Sequence, residues 1–172
     1  MKKLTSWHVA TAAEALAAAQ FARFGFDVSV QYGANQPEYD LIVADGENVL
    51  KISVKGSQDG GWGLSQTQLS RIRNAQYHQA ADDWCARHKI GTALCLVQFQ
   101  GVADDQLPRL YLAWPSEIAD RLKSASGGRG DTILYEDYVR GPKAAGAGTR
   151  ETLPAHWKLT RERLIQMLSQ RD

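Results

Sequence analysis

The sequence predicts an α/β domain, with a central mixed β-sheet flanked by helices in the order helix, three strands, helix, strand. Three observations lead there. The chain opens on a long alanine-rich stretch with no Gly or Pro, a helical pattern. "YDLIVADGENVLKISVKGS" at 39–57 reads as two apolar strands around a tight turn. "TALCLVQF" at 92–99 is a continuous apolar run of the kind that fills the middle of a sheet.

The elements follow in order. Residues 7–24 form the first helix, with Ser6 as N-cap and Gly25 after the last turn. "FDVSVQY" alternates apolar and polar residues, as a half-buried strand does. "DGEN" turns the hairpin between "YDLIVA" and "VLKISVKG", and "SQDGGWG" is a loop. Gln66 to Lys89 is helical, with one break near Arg73. After the apolar strand, "RLYLAW" makes another short strand, and "PSEIADRLKSA" is a helix that starts on Pro and carries Ile118 and Leu122 one turn apart. "SASGGRG" and "RGPKAAGAGTRETLP" are Gly-rich and basic and read as mobile loops, and "KLTRERLIQMLSQ" closes as a helix. The expectation is one domain over 1–172, with the core in 8–100 and a helical and loop extension in 101–172.

Composition narrows the function. The 172 residues are 44% hydrophobic and 23% charged, enough to build a real core. The net charge of +1 announces no nucleic-acid partner in bulk, so any such surface is a local patch. Cys85 and Cys95 have neither metal nor CxxC spacing, and a reducing cytoplasm is the default. The Lys-led N-terminus is interrupted by His8 and Glu14 and reads as a helix, not a leader. No apolar run reaches the roughly 18 residues of a membrane span.

The hairpin holds charges that such strands rarely carry. Lys51, Ser53 and Lys55 lie on one face and Leu50, Ile52 and Val54 on the other. Pairing around Gly46 brings Asp40, at the start of its strand, near Ser53 to Lys55. Glu14 shares a helix face with Ala10, Ala17, Ala18 and Phe21, where a carboxylate is costly unless paired or at the edge of a site. The plain account is a salt bridge between Asp40 and Lys55 with Glu14 at the helix rim. The sharper one is a metal-dependent hydrolytic site, since carboxylates suit a hard cation and a lysine can stabilise a charged transition state.

This order of residues resembles the PD-(D/E)XK nuclease superfamily, which includes archaeal Holliday-junction resolvases, many restriction enzymes and an intron-homing endonuclease. The helix Glu looks like Glu14 in "TAAEALAAAQFARFGFDV", the Asp like Asp40 in "EYD", and the Lys like Lys55 in "SVKGS". The segment "ALAAAQFARFGFDVSVQYGANQPEYDLIV" is similar to the resolvase-like branch, and the resemblance covers about residues 8–100. It implies a restriction-endonuclease-like core and phosphodiester hydrolysis in DNA, duplex or branched, with a homodimer as the expected assembly. In it Glu14 and Asp40 bind Mg²⁺ or Mn²⁺, and Asp40, Lys55 and Glu14 are catalytic. Ser53 stands where the superfamily has an acid or Gln, so the metal is expected to bind weakly unless Glu38 or Asp59 compensates. The alternative is a nuclease-fold protein without catalysis that binds nucleic acid or a protein partner through Lys51, Lys55 and the basic loops.

Other features are weaker. Trp62 in "GGWG" can stack on a base, though plugging the edge of the core is the preferred account. Arg71, Arg73 and His78 can touch phosphates, though a solvated helix face explains them better. Gln68 and Gln76 are the candidates for the glutamine that the superfamily often carries on this helix. "GRGD" at 128–131 is a chance match, "GAG" at 146–148 is no phosphate loop, and His8, His88 and His156 have no ligand spacing.

Overall fold

The computed structural model describes residues 4–31, 38–72 and 74–170. Helix α1 (Ser6–Arg23) is followed by strands β1 (Asp27–Val30), β2 (Leu41–Asp45), β3 (Asn48–Ser57) and β4 (Gly61–Gly63). A helical turn α2 (Gln66–Leu69), helix α3 (Tyr77–Cys85), strands β5 (Thr92–Gln98) and β6 (Arg109–Ala113) and helix α4 (Pro115–Ser124) come next. Strands β7 (Ile133–Tyr135), β8 (Asp137–Val139) and β9 (Arg150–Thr152) precede the closing helix α5 (Arg161–Ser169). Two compact units result, one of residues 1–59, 90–113 and 155–172, the other of 60–89 and 114–154.

The first unit carries the central sheet, in the order β1-β2-β3-β5-β6. It is mixed, as predicted: β3 and β5 run parallel, and the other neighbours are antiparallel. All of β5 is buried, and β3 and β6 pair with both of its edges, so it is a central strand of the sheet. The hairpin turns at Gly46–Glu47, with Asp45 opposite Asn48 and Leu41 opposite Ile52.

Helix α1 lays Val9, Ala13, Ala17 and Phe21 against this sheet, a stripe at i+4 spacing. Its small residues permit close approach. A Cβ on Gly56 would fall 2.9 Å from both Val9 Cγ1 and the Val9 carbonyl oxygen. Gly56 and the even-numbered residues of β3 therefore face α1, and Lys51, Ser53 and Lys55 share the opposite face. The N-cap is Thr5, one residue before the expected Ser6: its Oγ1 accepts from the His8 amide, while His8 Nδ1 accepts from the Thr5 amide. At the other end of the chain, Thr160 Oγ1 caps α5 by accepting from the Arg163 amide, and the buried Arg163 donates from Nε to the Leu112 carbonyl.

The second unit departs most from expectation. The helical stretch predicted over 66–89 with one break near Arg73 is divided into α2 and α3, because Asn74 and Ala75 take left-handed backbone (φ 67° and 46°) that no α-helix continues. Arg73 lies outside the described residues. Between the two stretches read as mobile loops lie β7, paired antiparallel with β4, and β8, which pairs with β9 inside the second stretch. Ion pairs hold it. Arg140 binds Asp131 and Glu151, Arg121 binds Glu151, and Arg150 binds Asp137. Glu151 is 5% exposed and also accepts from the Ser126 amide at 2.8 Å. Helix α4 starts on Pro115 and buries Ile118 and Leu122, as its pattern requires. No helix among the described residues is long and apolar enough to cross a membrane.

Candidate functional site

β3 outruns its partner. β2 pairs with residues 48–52, so among the described residues the β2-side edge of β3 has no strand from Ser53 onward. Asp40 takes over at that point. Its backbone N–H donates to the Ile52 carbonyl at 2.8 Å, the last rung of the ladder. Its carboxylate Oδ2 then accepts the Val54 N–H at 2.6 Å, where a further strand residue would have supplied a carbonyl. The Ser53 hydroxyl lies 3.5 Å from the same oxygen. One carboxylate oxygen thus satisfies a backbone donor that would otherwise be unpaired, and the other has no hydrogen-bond donor among the described residues.

Glu14 reaches this edge from α1, half-buried beside Ala13 on the border of the apolar stripe. Burial pushes its carboxyl above the ordinary range, the negative charge of Asp40 pushes it further, and the Lys55 ammonium pulls it back. Glu14 therefore lies within range of the charges of both Asp40 and Lys55. Lys55 is exposed, and Ser53 is 2% exposed, so the hydroxyl that replaces the expected acid is packed in.

The remaining sequence candidates fall elsewhere. Lys51 is half-buried, with its ammonium 5.5 Å from the centroid of the Tyr39 ring. Glu38 accepts from Thr92 Oγ1 at 3.0 Å, and Asp59 accepts from Ser57 Oγ at 2.9 Å in a local turn. No group of three or more His, Cys, Asp or Glu that could hold a metal exists among the described residues, so neither acid completes a triad with Glu14 and Asp40. Trp62 is 3% exposed and offers no ring face to a base, which corrects its assignment as a nucleic-acid contact in favour of the preferred account, a plug in the core. Arg71 is exposed in the other unit. In the second basic loop Arg140 and Arg150 are tied up in ion pairs. What the sequence did not reveal is Asp40's bond to Val54, because a backbone amide leaves no mark on residue identity.

No family model matches the chain, and no curated protein matches it by sequence. Among solved structures it is similar to Hjc of Archaeoglobus fulgidus, a Holliday junction resolvase from an archaeal hyperthermophile. The identity is 16% and the TM-score 0.39, over 73% of this chain and 88% of that one.

Proposed function

We propose that this chain is a divalent-metal-dependent DNA endonuclease, with Glu14, Asp40 and Lys55 as its working residues. One observation carries the proposal: the carboxyl of Glu14 feels both Asp40 and Lys55 at the open edge of β3, where Asp40 keeps one oxygen clear of the ladder. Two carboxylates that repel each other favour a cation between them. Two is also within the usual complement for Mg²⁺, which takes one or two carboxylates and completes its shell with waters and substrate phosphates. The donor set fits a hard dication held by Asp40 and Glu14, weakly, because Ser53 supplies no charge. When bound, the ion would supply electrostatic stabilisation to the phosphoryl group under attack.

The protein's own groups do the rest. Val54 holds the Asp40 carboxylate by its N–H, fixing its orientation before any ligand arrives. Glu14 is fixed by the packing of α1. Lys55 supplies a positive charge that orients the attacking water and offsets the charge growing on the phosphoryl oxygens.

A second reading is kept because of the buried Ser53 hydroxyl. If that substitution leaves too little negative charge to retain a metal, the same edge binds nucleic acid without cutting it. A nicking assay on duplex, single-stranded and branched DNA, with Mg²⁺, Mn²⁺ or chelator, decides between them. Metal-dependent cleavage that Lys55→Ala abolishes while binding persists supports the enzyme. Binding with no cleavage in any metal supports the second reading, and neither binding nor cleavage on DNA or RNA refutes both.

A further inference from the structure

We propose that Arg129, stacked over the Tyr77 ring on a segment that His78 pins, forms a second phosphate-binding site, in the unit of residues 60–89 and 114–154, which takes one phosphodiester of a nucleic-acid strand. A surface cavity of about 440 Å³ lies there, with these three residues and Gln76 among its lining. The Arg129 guanidinium lies over the Tyr77 ring, its carbon 5.0 Å from the centroid. An arginine stacked this way keeps its in-plane N–H edge for an acceptor, the fork geometry that suits phosphate.

Position and charge together mark this arginine, the one arginine among the described residues that line the cavity. Arg121, Arg140 and Arg150 of the same unit are each ion-paired, whereas Arg129 has no carboxylate partner among the described residues. One acid, Asp82, also lines the cavity, but Lys123 holds its carboxylate at 3.0 Å. His78 Nε2 lies 2.9 Å from the Gly128 carbonyl oxygen. A carbonyl only accepts, so Nε2 carries the hydrogen and the imidazole is pinned to the segment bearing Arg129.

That segment is built to hold one shape. Gly130 has φ +92°, and a Cβ there would fall 2.8 Å from Tyr77 Cβ, so only glycine allows the approach. The Gly130 N–H donates to the Ala125 carbonyl at 2.9 Å and the Asp131 N–H to the Leu122 carbonyl at 3.0 Å. From the far side, buried Glu151 holds the Ser126 amide. A backbone fixed before the ligand arrives lowers the ordering cost of binding, and the Tyr77 ring gives the exposed guanidinium a surface to lie on.

The phosphate chemistry stands on this geometry alone, and the choice of a phosphodiester rests on the nucleic-acid function proposed above. The test is anisotropy of a labelled oligonucleotide in chelator, so that nothing is cut, with wild type, Arg129→Ala, Arg129→Lys and Asp40→Asn. Arg129→Ala should weaken binding about tenfold and lower the salt slope by about one, the loss of one phosphate contact. Arg129→Lys should restore the slope but only part of the affinity, because lysine has no planar fork. Binding by Arg129→Ala with unchanged affinity and slope overturns the proposal, whatever Asp40→Asn does. If wild type binds no nucleic acid, inorganic phosphate is titrated against the Arg129 Nε–H resonance. A saturable shift there retains the phosphate site and rejects the phosphodiester, and no shift rejects both.

Discussion

Asp40 supports β3 and is the proposed metal ligand, and substitution can separate the two. Its Oδ2 accepts the Val54 N–H at 2.6 Å on the open edge of β3, a charge-assisted bond from a buried residue. Asp40→Ala leaves that N–H without its acceptor, a loss of about 1.5–3 kcal/mol. In a chain of 172 residues, about 2–4 °C of melting temperature goes with each kcal/mol. The expected fall is therefore about 3–12 °C, together with faster hydrogen exchange at the Val54 amide. Asp40→Asn keeps a carbonyl oxygen in the same place and removes only the charge. It should keep most of the stability and the Val54 protection while losing any stabilisation by Mg²⁺. Thermal melts of the three proteins with and without Mg²⁺, beside amide exchange at Val54, make the comparison. Equal destabilisation by Asn and Ala would refute the carboxylate as the support of β3. An undiminished Mg²⁺ response in Asp40→Asn would refute it as a metal ligand.

Glu14 titrates above its unfolded value of 4.5, so the folded state holds that proton more tightly and stability is lost as pH rises through the raised value. Glu14→Gln should therefore match wild type at about pH 4 and exceed it at about pH 8, and melts showing no such divergence would contradict the shift. Ser53→Glu puts a third carboxylate beside Asp40 at a position 2% exposed. It should destabilise the metal-free protein and enlarge the rise in melting temperature with Mg²⁺. At about ten times its dissociation constant the ion contributes about 1.4 kcal/mol, and calorimetry giving equal metal affinity for this variant and wild type would show that position 53 does not face the ion. Glu151→Gln breaks a buried pairing with Arg140 and Arg121 and should cost about 3 kcal/mol. A neutral effect on the melt would mean that the surrounding backbone, not the ions, orders the segment.

Much of the first unit was legible because burial follows local period. An apolar stripe every fourth residue marks α1, strict alternation marks the two faces of β3, and the unbroken apolar run of β5 announces a strand with neighbours on both sides. The turn at Gly46 then sets the register, and register alone brings Asp40 to the level of Ser53. The second unit was less legible. β4 and β7 are three residues each and pair Trp62 with Leu134, so neither is long enough to show a period. The Gly-rich, basic composition of 124–130 and 140–154 says nothing of the short strands beside and within those stretches, nor that Arg140 meets Asp131 and Glu151.

The sequence by itself determined which residue types are available for chemistry, their order along the chain and the faces on which they stand, because side-chain periodicity is a local property. Only the tertiary structure decided that Asp40 spends one oxygen on the Val54 amide, that Trp62 is buried, and that Glu14 feels the charges of Asp40 and Lys55. Those outcomes depend on backbone donors and on where β2 stops short of β3, and neither leaves a trace in residue identity. A carboxylate's role is set by which donors and charges surround it, and the fold supplies them.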